Sequence, residues 1–270
     1  MHFPLAFADP DHYSWSEEFR AFTLQHWIVV GVCLLITIAW CVVGRALLSG
    51  ESPNYSKERT IRHWVGWFIV ISQSLIFLRR FLPGQWDLDD SLPLHMCRWT
   101  VWIVAWAMLT LDRRARSMTL FWGLGLSTQV FFTPFLKEGH GSLAFWIYWL
   151  NHLQIVGVAI YDIVVLGYRP TLKDLRFGIL TGIGFAVLVF ILNILLGTNY
   201  AYLGSADHDS ASIIDKLGPY PYRAIWMVVG SAIVMIFVYL ISLGSLTLRT
   251  RVLKKSPPRF IGPEHETRDI

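Results

Sequence analysis

Seven stretches of this chain are apolar for long enough to be read as membrane helices, and charged or turn-forming connections separate them. A helix that crosses the hydrocarbon core of a bilayer needs roughly 20 predominantly apolar residues. The runs fall at Trp27–Gly44, Trp64–Leu78, Leu92–Leu111, Met118–Phe135, Ala144–Leu166, Leu175–Leu196 and Tyr222–Leu246. The composition agrees: charged residues make up 16% of the chain, where a soluble domain carries about 25%. The pattern predicts an all-α, polytopic membrane bundle of seven transmembrane helices. An outer segment (1–25) would precede a transmembrane domain (26–247), with a cytoplasmic tail (248–270). Residues 1–25 have no basic region and no small-residue cleavage site, so the first apolar run is expected to serve as its own signal. All three cysteines, Cys33, Cys41 and Cys97, lie in or at apolar runs, which argues against a disulfide framework.

Cytoplasmic loops of membrane proteins carry an excess of Lys and Arg. Sixteen of the 23 Lys and Arg lie in, or at the edges of, the first, third and fifth connections and the tail. The N-terminal segment and the other connections hold five. This bias predicts the N-terminus outside and the C-terminus in the cytoplasm, in the cell's inner (plasma) membrane.

In that orientation the polar side chains within the spans gather at one depth. His95 and Cys97 lie near the outer end of the third span. His152 lies about nine residues, roughly 13 Å, below the outer end of the fifth. His26 opens the first span, Asn193 sits in the outer half of the sixth, and Asn199 and Tyr200 lie at its exit. Gln129 and Thr133, four apart, would share one face of a helical fourth span. An unpaired polar group in lipid is costly and tends to face a bundle interior. His26, His95, Cys97, Gln129, His152, Asn193, Asn199 and Tyr200 are therefore expected to line one polar cavity open to the outer leaflet. In the inner half of the fifth span, Asp162 calls for a basic partner at the cytoplasmic edge. No metal site is expected; "ADHD" at 206–209 reads as a solvated loop.

The "LPLHMC" stretch at 92–97 has the chemistry of a helix start, with Ser91 as cap and Pro93 in the first turn. Cys97 would then fall in the second turn. Positions two apart point away from each other on a helix, so His95 does not serve Cys97 as a base. His152, from another helix, is the candidate. Read singly, His95 also suits a residue at the headgroup level, and Cys97 a small buried hydrophobe.

The pieces "LPLHMC" at 92–97, "FWGLGLSTQVFFTP" at 121–134, His152, "GYRPT" at 167–171, "GTNYAYL" at 197–203 and "LGPYPYR" at 217–223, together with the opening "FTLQHWIVV", resemble the YwaF-like integral membrane proteins of bacteria. They occur in order from about residue 20 to 245. The chain departs from that pattern at Ala201, where the family usually has Met, and in the "GSADHDS" that follows. The bacterial family is distantly similar to a eukaryotic family with a cysteine-dependent phospholipid acyltransferase. That resemblance implies a Cys/His pair, which maps onto Cys97 and His152. Cys97 would attack an acyl ester of a membrane phospholipid, with Asn199, Tyr200 or Gln129 donating to the oxyanion. The alternative is a non-catalytic protein that binds or transports a small molecule or lipid. Few polar residues besides Asp162 lie in the inner halves of the spans, and no inverted repeat is visible, which weighs against transport. The last span has no lysine for a retinal Schiff base. No cofactor and no nucleic-acid partner is called for.

Overall fold

A computed structural model describes residues 14–205 and 217–252. "ADHD" at 206–209, His265 and the parts of the outer segment and tail beyond these bounds lie outside the described residues. The described residues are helical apart from connections and one isolated bridge between Glu18 and Glu138. The α-helices are α1 (Leu24–Leu48), α2 (Tyr55–Arg79), α3 (Met96–Thr110), α4 (Arg113–Met118), α5 (Leu143–Val164), α6 (Leu172–Leu196) and α7 (Tyr222–Val252). By length and composition α1, α2, α5, α6 and the Tyr222–Leu243 part of α7 suffice to cross a membrane.

Local chemistry sets the helix ends. The Asn54 side chain accepts from the Lys57 amide at the start of α2, and Ser142 accepts from Ala144 at the start of α5. Thr171 and Asp174 form a reciprocal capping box that opens α6. Gly197, in the left-handed region at φ 68°, closes it. The core centres on α3, whose Val101, Val104, Ala105 and Met108 are buried with Ile155, Val158 and Tyr161 of α5. Helix α1 comes close against α5 at Gly44, where an added Cβ would lie 2.6 Å from the Tyr161 ring.

Two expected spans depart from regular transmembrane helices. The third begins at Met96, not Leu92, with His95 as N-cap. The Ser91 hydroxyl is not free to cap, because it accepts from the Asp87 amide. Arg80 and Arg98 take the carbonyls of Asp90, Ser91 and Leu92, which fixes this segment outside the helix. The fourth span is a short α4 that passes into a π-helical turn, Thr119–Leu126, and a 3-10 turn, Thr128–Phe131. The Ser127 hydroxyl bonds the Trp122 carbonyl five residues back, and Pro134, lacking an amide hydrogen, prevents continuation. Gln129 and Thr133 thus do not share a helix face; the Thr133 hydroxyl turns back to the Gln129 carbonyl.

A 15-residue α3 spans only about 22 Å, less than the roughly 30 Å of a hydrocarbon core. Its N-terminal end and the end of the π-helical segment stop short on the same side of the bundle, where both border one cavity.

At the other end, carboxylates and guanidiniums cross-link the helices. Arg116 of α4 forks onto Asp162 of α5, with contacts of 2.7–3.0 Å. This is the basic partner that Asp162 calls for. Arg113 reaches Asp174 at 2.6 Å. Glu58 pairs with Arg62 one turn along α2 and accepts from the Tyr161 hydroxyl at 3.0 Å.

Candidate functional site

The cavity has a volume of about 840 Å³. One part of its wall is polar, from the start of α3, the loop before it and the first half of α5. The other is apolar, from α6 and α7, including Ile183, Phe185 and Met235.

Four of the eight expected residues line it: His95, Cys97, Gln129 and His152. Because α3 starts late, Cys97 stands at its second residue, in the first turn. Helix first turns leave backbone N–H groups unpaired, and their dipole favours negative charge there. His152 lies in α5, and its Nδ1 is 2.7 Å from the Tyr148 carbonyl oxygen one turn back. A carbonyl only accepts, so the neutral ring carries its hydrogen on Nδ1 and a lone pair on Nε2. Nε2 has no hydrogen-bond partner among the described residues. Cys97 lies within electrostatic reach of the Tyr148 and Tyr202 hydroxyls, which also border the cavity. The Gln129 amide makes no side-chain hydrogen bond among the described residues. Above Cys97, His95 packs edge-on against Tyr200, with Nε2 4.0 Å from the Asp90 carboxylate.

The other four lie elsewhere and make internal contacts. Asn193 holds the amide and carbonyl of Tyr200, at 2.8 and 2.9 Å, and the Thr198 hydroxyl. Tyr200 is buried, accepts from the Leu92 amide and donates to the Leu88 carbonyl, tying the exit of α6 to the loop before α3. Asn199 accepts from the Gly204 amide at 2.8 Å. His26 is fully buried between Phe19, Trp27 and Trp149, its Nδ1 accepting from the Phe22 amide. Common depth along separate helices did not specify which way these side chains turn.

The structure also adds residues that sequence reasoning passed over. The Tyr148 hydroxyl oxygen accepts from the Phe135 amide at 3.1 Å, which leaves its own hydrogen available to the cavity. Asn151, beside His152, accepts from Gln73 of α2 at 2.7 Å. Arg79, Arg80 and Arg98 line the rim. Tyr148 is detectable as an aromatic one turn before a buried histidine; in the sequence Arg79 and Arg80 count only as loop charge, and Arg98 lies just inside a span. At the rim, burial would raise the Asp90 carboxyl, but the charge and hydrogen bonds of Arg98, with Arg80 beyond, hold it below its usual value.

Fold and composition define an all-helical, multi-pass membrane protein. Residues 21–242 match the TMEM164 family, and the chain belongs to that membrane protein family. The comparisons give no match to YwaF-like proteins or to an acyltransferase. No curated protein and no solved structure matches the chain.

Proposed function

We propose that this protein is a membrane-embedded acyltransferase that moves a fatty acyl group between lipids through a thioester on Cys97. The observation that carries the reading is the state of His152: its Nδ1 is committed to the Tyr148 carbonyl, and its Nε2 lone pair is free on the wall that Cys97 shares. A thiol is mostly protonated at neutral pH, and burial favours the neutral form, so a nucleophilic cysteine here needs a base. In this reading Nε2 accepts the thiol proton as sulfur attacks the carbonyl carbon of an acyl ester. The tetrahedral oxyanion is met by the Tyr148 hydroxyl, the Gln129 amide and the Met96 and Cys97 N–H groups at the start of α3. Collapse breaks the ester C–O bond, and the departing alkoxide takes the proton back from the imidazolium. The acceptor hydroxyl then gives its proton to Nε2, attacks the thioester and releases the Cys97 thiolate, which the imidazolium reprotonates.

The same reading places the cavity toward the outer leaflet of the inner (plasma) membrane, with the N-terminus outside. The excess of Lys and Arg on the alternate connections supports this. The test is mass spectrometry of the protein purified from membranes and supplied with phospholipid. A hydroxylamine-labile acyl adduct on Cys97 is expected, absent in Cys97→Ser and strongly reduced in His152→Ala. If no adduct forms and lipid turnover is unchanged in both variants, a non-catalytic lipid-binding protein replaces this reading.

A further inference from the structure

At the cavity rim two guanidiniums converge on one oxygen. Arg80, at the end of α2, donates through Nη1 to the Asp90 carbonyl at 2.7 Å, and Arg98 of α3 donates to the same carbonyl. Arg80 Nη1 also reaches the Ser91 carbonyl at 2.9 Å. Among the described residues one carboxylate answers these two charges: Asp90, 2.5 Å from Arg98 Nη2. Asp87 also borders the cavity, but its carboxylate accepts from the Asp89 amide and contacts no guanidinium among the described residues. Arg80 Nε and Nη2 donate to nothing among the described residues. Arg79 borders the cavity, and its side chain makes no hydrogen bond or ion pair among the described residues.

The rim thus holds like charges close together, partly compensated, with unused donors beside a large cavity. Like charges brought together repel, and unused guanidinium donors in a fork geometry match the oxygens of phosphate. Beyond the rim the wall formed by α6 and α7 is apolar. A cavity cationic at one end and apolar along one wall fits an amphiphile with an anionic head and a hydrocarbon chain.

We infer that Arg80, with Arg79 beside it, binds the phosphate of a glycerophospholipid whose acyl chain lies along the α6–α7 wall. This rests on the acyltransferase reading only in taking the ligand to be a membrane lipid; binding requires no chemistry at Cys97. Arg80 then acts as a positioning residue, holding the headgroup while the ester reaches toward the start of α3. Arg98, already paired with Asp90, keeps the loop in place.

The test measures binding with the full chain carrying Cys97→Ala, in detergent, by native mass spectrometry. The probes are oleoyl-lysophosphatidic acid and monoolein, which share a chain and differ in the phosphate. The phosphate-bearing probe is expected to bind more tightly. Arg80→Gln and Arg79→Gln should each weaken it by about tenfold, the scale of one charge-assisted hydrogen bond, and leave monoolein unchanged. Arg79→Gln disturbs no side-chain contact among the described residues, and constant monoolein binding shows that the cavity persists. Equal binding of both probes, or phosphate-dependent binding untouched in both variants, overturns the inference. Displacement of the lipid by millimolar inorganic phosphate overturns it too, reassigning the rim to a soluble anion. Phosphate-selective binding without any Cys97 adduct in the wild-type protein would uphold it while removing the acyltransferase reading.

Discussion

The carbonyl oxygen of Tyr148 and Nδ1 of His152 lie 2.7 Å apart, one turn from each other on α5. The contact fixes which ring nitrogen is available for chemistry, and it uses a backbone group that no side-chain substitution at 148 removes. Solution measurement should find His152 as the neutral Nδ1–H form. Nitrogen-15 spectra of histidine-labelled protein, assigned by loss of the signal in His152→Gln, give the answer directly. An Nε2–H ring would leave no base facing the cavity.

Tyr148 contributes separately through its hydroxyl. Tyr148→Phe leaves the backbone contact to His152 intact and removes one donor to the oxyanion. Loss of such a donor elsewhere costs about 10²–10³ in rate. Acylation of Cys97, followed as thioester formed per unit time, should fall on that scale without change in the His152 tautomer. An unchanged rate would remove Tyr148 from the reaction.

The ion pair of Asp162 with Arg116 is buried, with side-chain exposures of 3% and 14%. Breaking a buried pair from one side strands a charge, at a cost of roughly 3–5 kcal/mol. Asp162→Leu alone should lower the unfolding temperature in detergent markedly, followed by tryptophan fluorescence. The double variant Asp162→Leu, Arg116→Met should recover much of the loss, since it strands nothing. A double variant as unstable as the single one would mean that Asp162 matters through some other contact.

Gly44 tests the packing of α1 on α5. A methyl group at 44 would overlap the Tyr161 ring, whereas one at Gly31 of the same helix meets nothing within 4 Å. Gly44→Ala should destabilise by about 1–3 kcal/mol, the usual cost of overpacking. Gly31→Ala should be neutral or slightly stabilising, as Ala exceeds Gly in helix propensity. Equal behaviour of the two variants in thermal unfolding would show that α1 does not press on α5 at this point.

The helices were legible because lipid imposes one rule on every span: backbone groups must bond within it. Asp162 was legible for the same reason, since a carboxylate at that depth requires a cation. Cys97 and His152 were placed at one depth by helix direction, and both border the cavity. The late start of α3 was not legible. It depends on Arg80, 16 residues before Met96, and on Tyr200, far along the chain, taking up backbone groups of the loop. Nor was the π-helical turn, which rests on Ser127 bonding five residues back within a run that reads as ordinary helix. These two departures shape the cavity. Their effect on the site is concrete: Cys97 moves from a second turn to a first turn. Asn193 and Tyr200 were placed at the correct helix end but assigned to the cavity, because depth alone does not separate a lining residue from one that bonds its own loop.

Orientation rests on charge, and α4 offers a sharp place to test it. In its "DRRARS" segment Arg113 and Arg116 are held by Asp174 and Asp162. The Arg114 side chain makes no contact of this kind among the described residues, so Arg114→Cys should leave the fold intact. The three native cysteines are free, and Cys33 and Cys41 are buried, so the new thiol is read against a Cys97→Ala background. With the C-terminus in the cytoplasm, position 114 faces inward. A membrane-impermeant maleimide should then fail to label it in intact cells and succeed once the cells are permeabilised. A second probe at Gly84, in the loop after α2, has open space for a side chain, though its φ of 75° makes the substitution mildly strained there. Gly84→Cys should label from outside. The opposite pattern at the two positions would invert the protein, bringing Cys97 and its cavity to the inner leaflet.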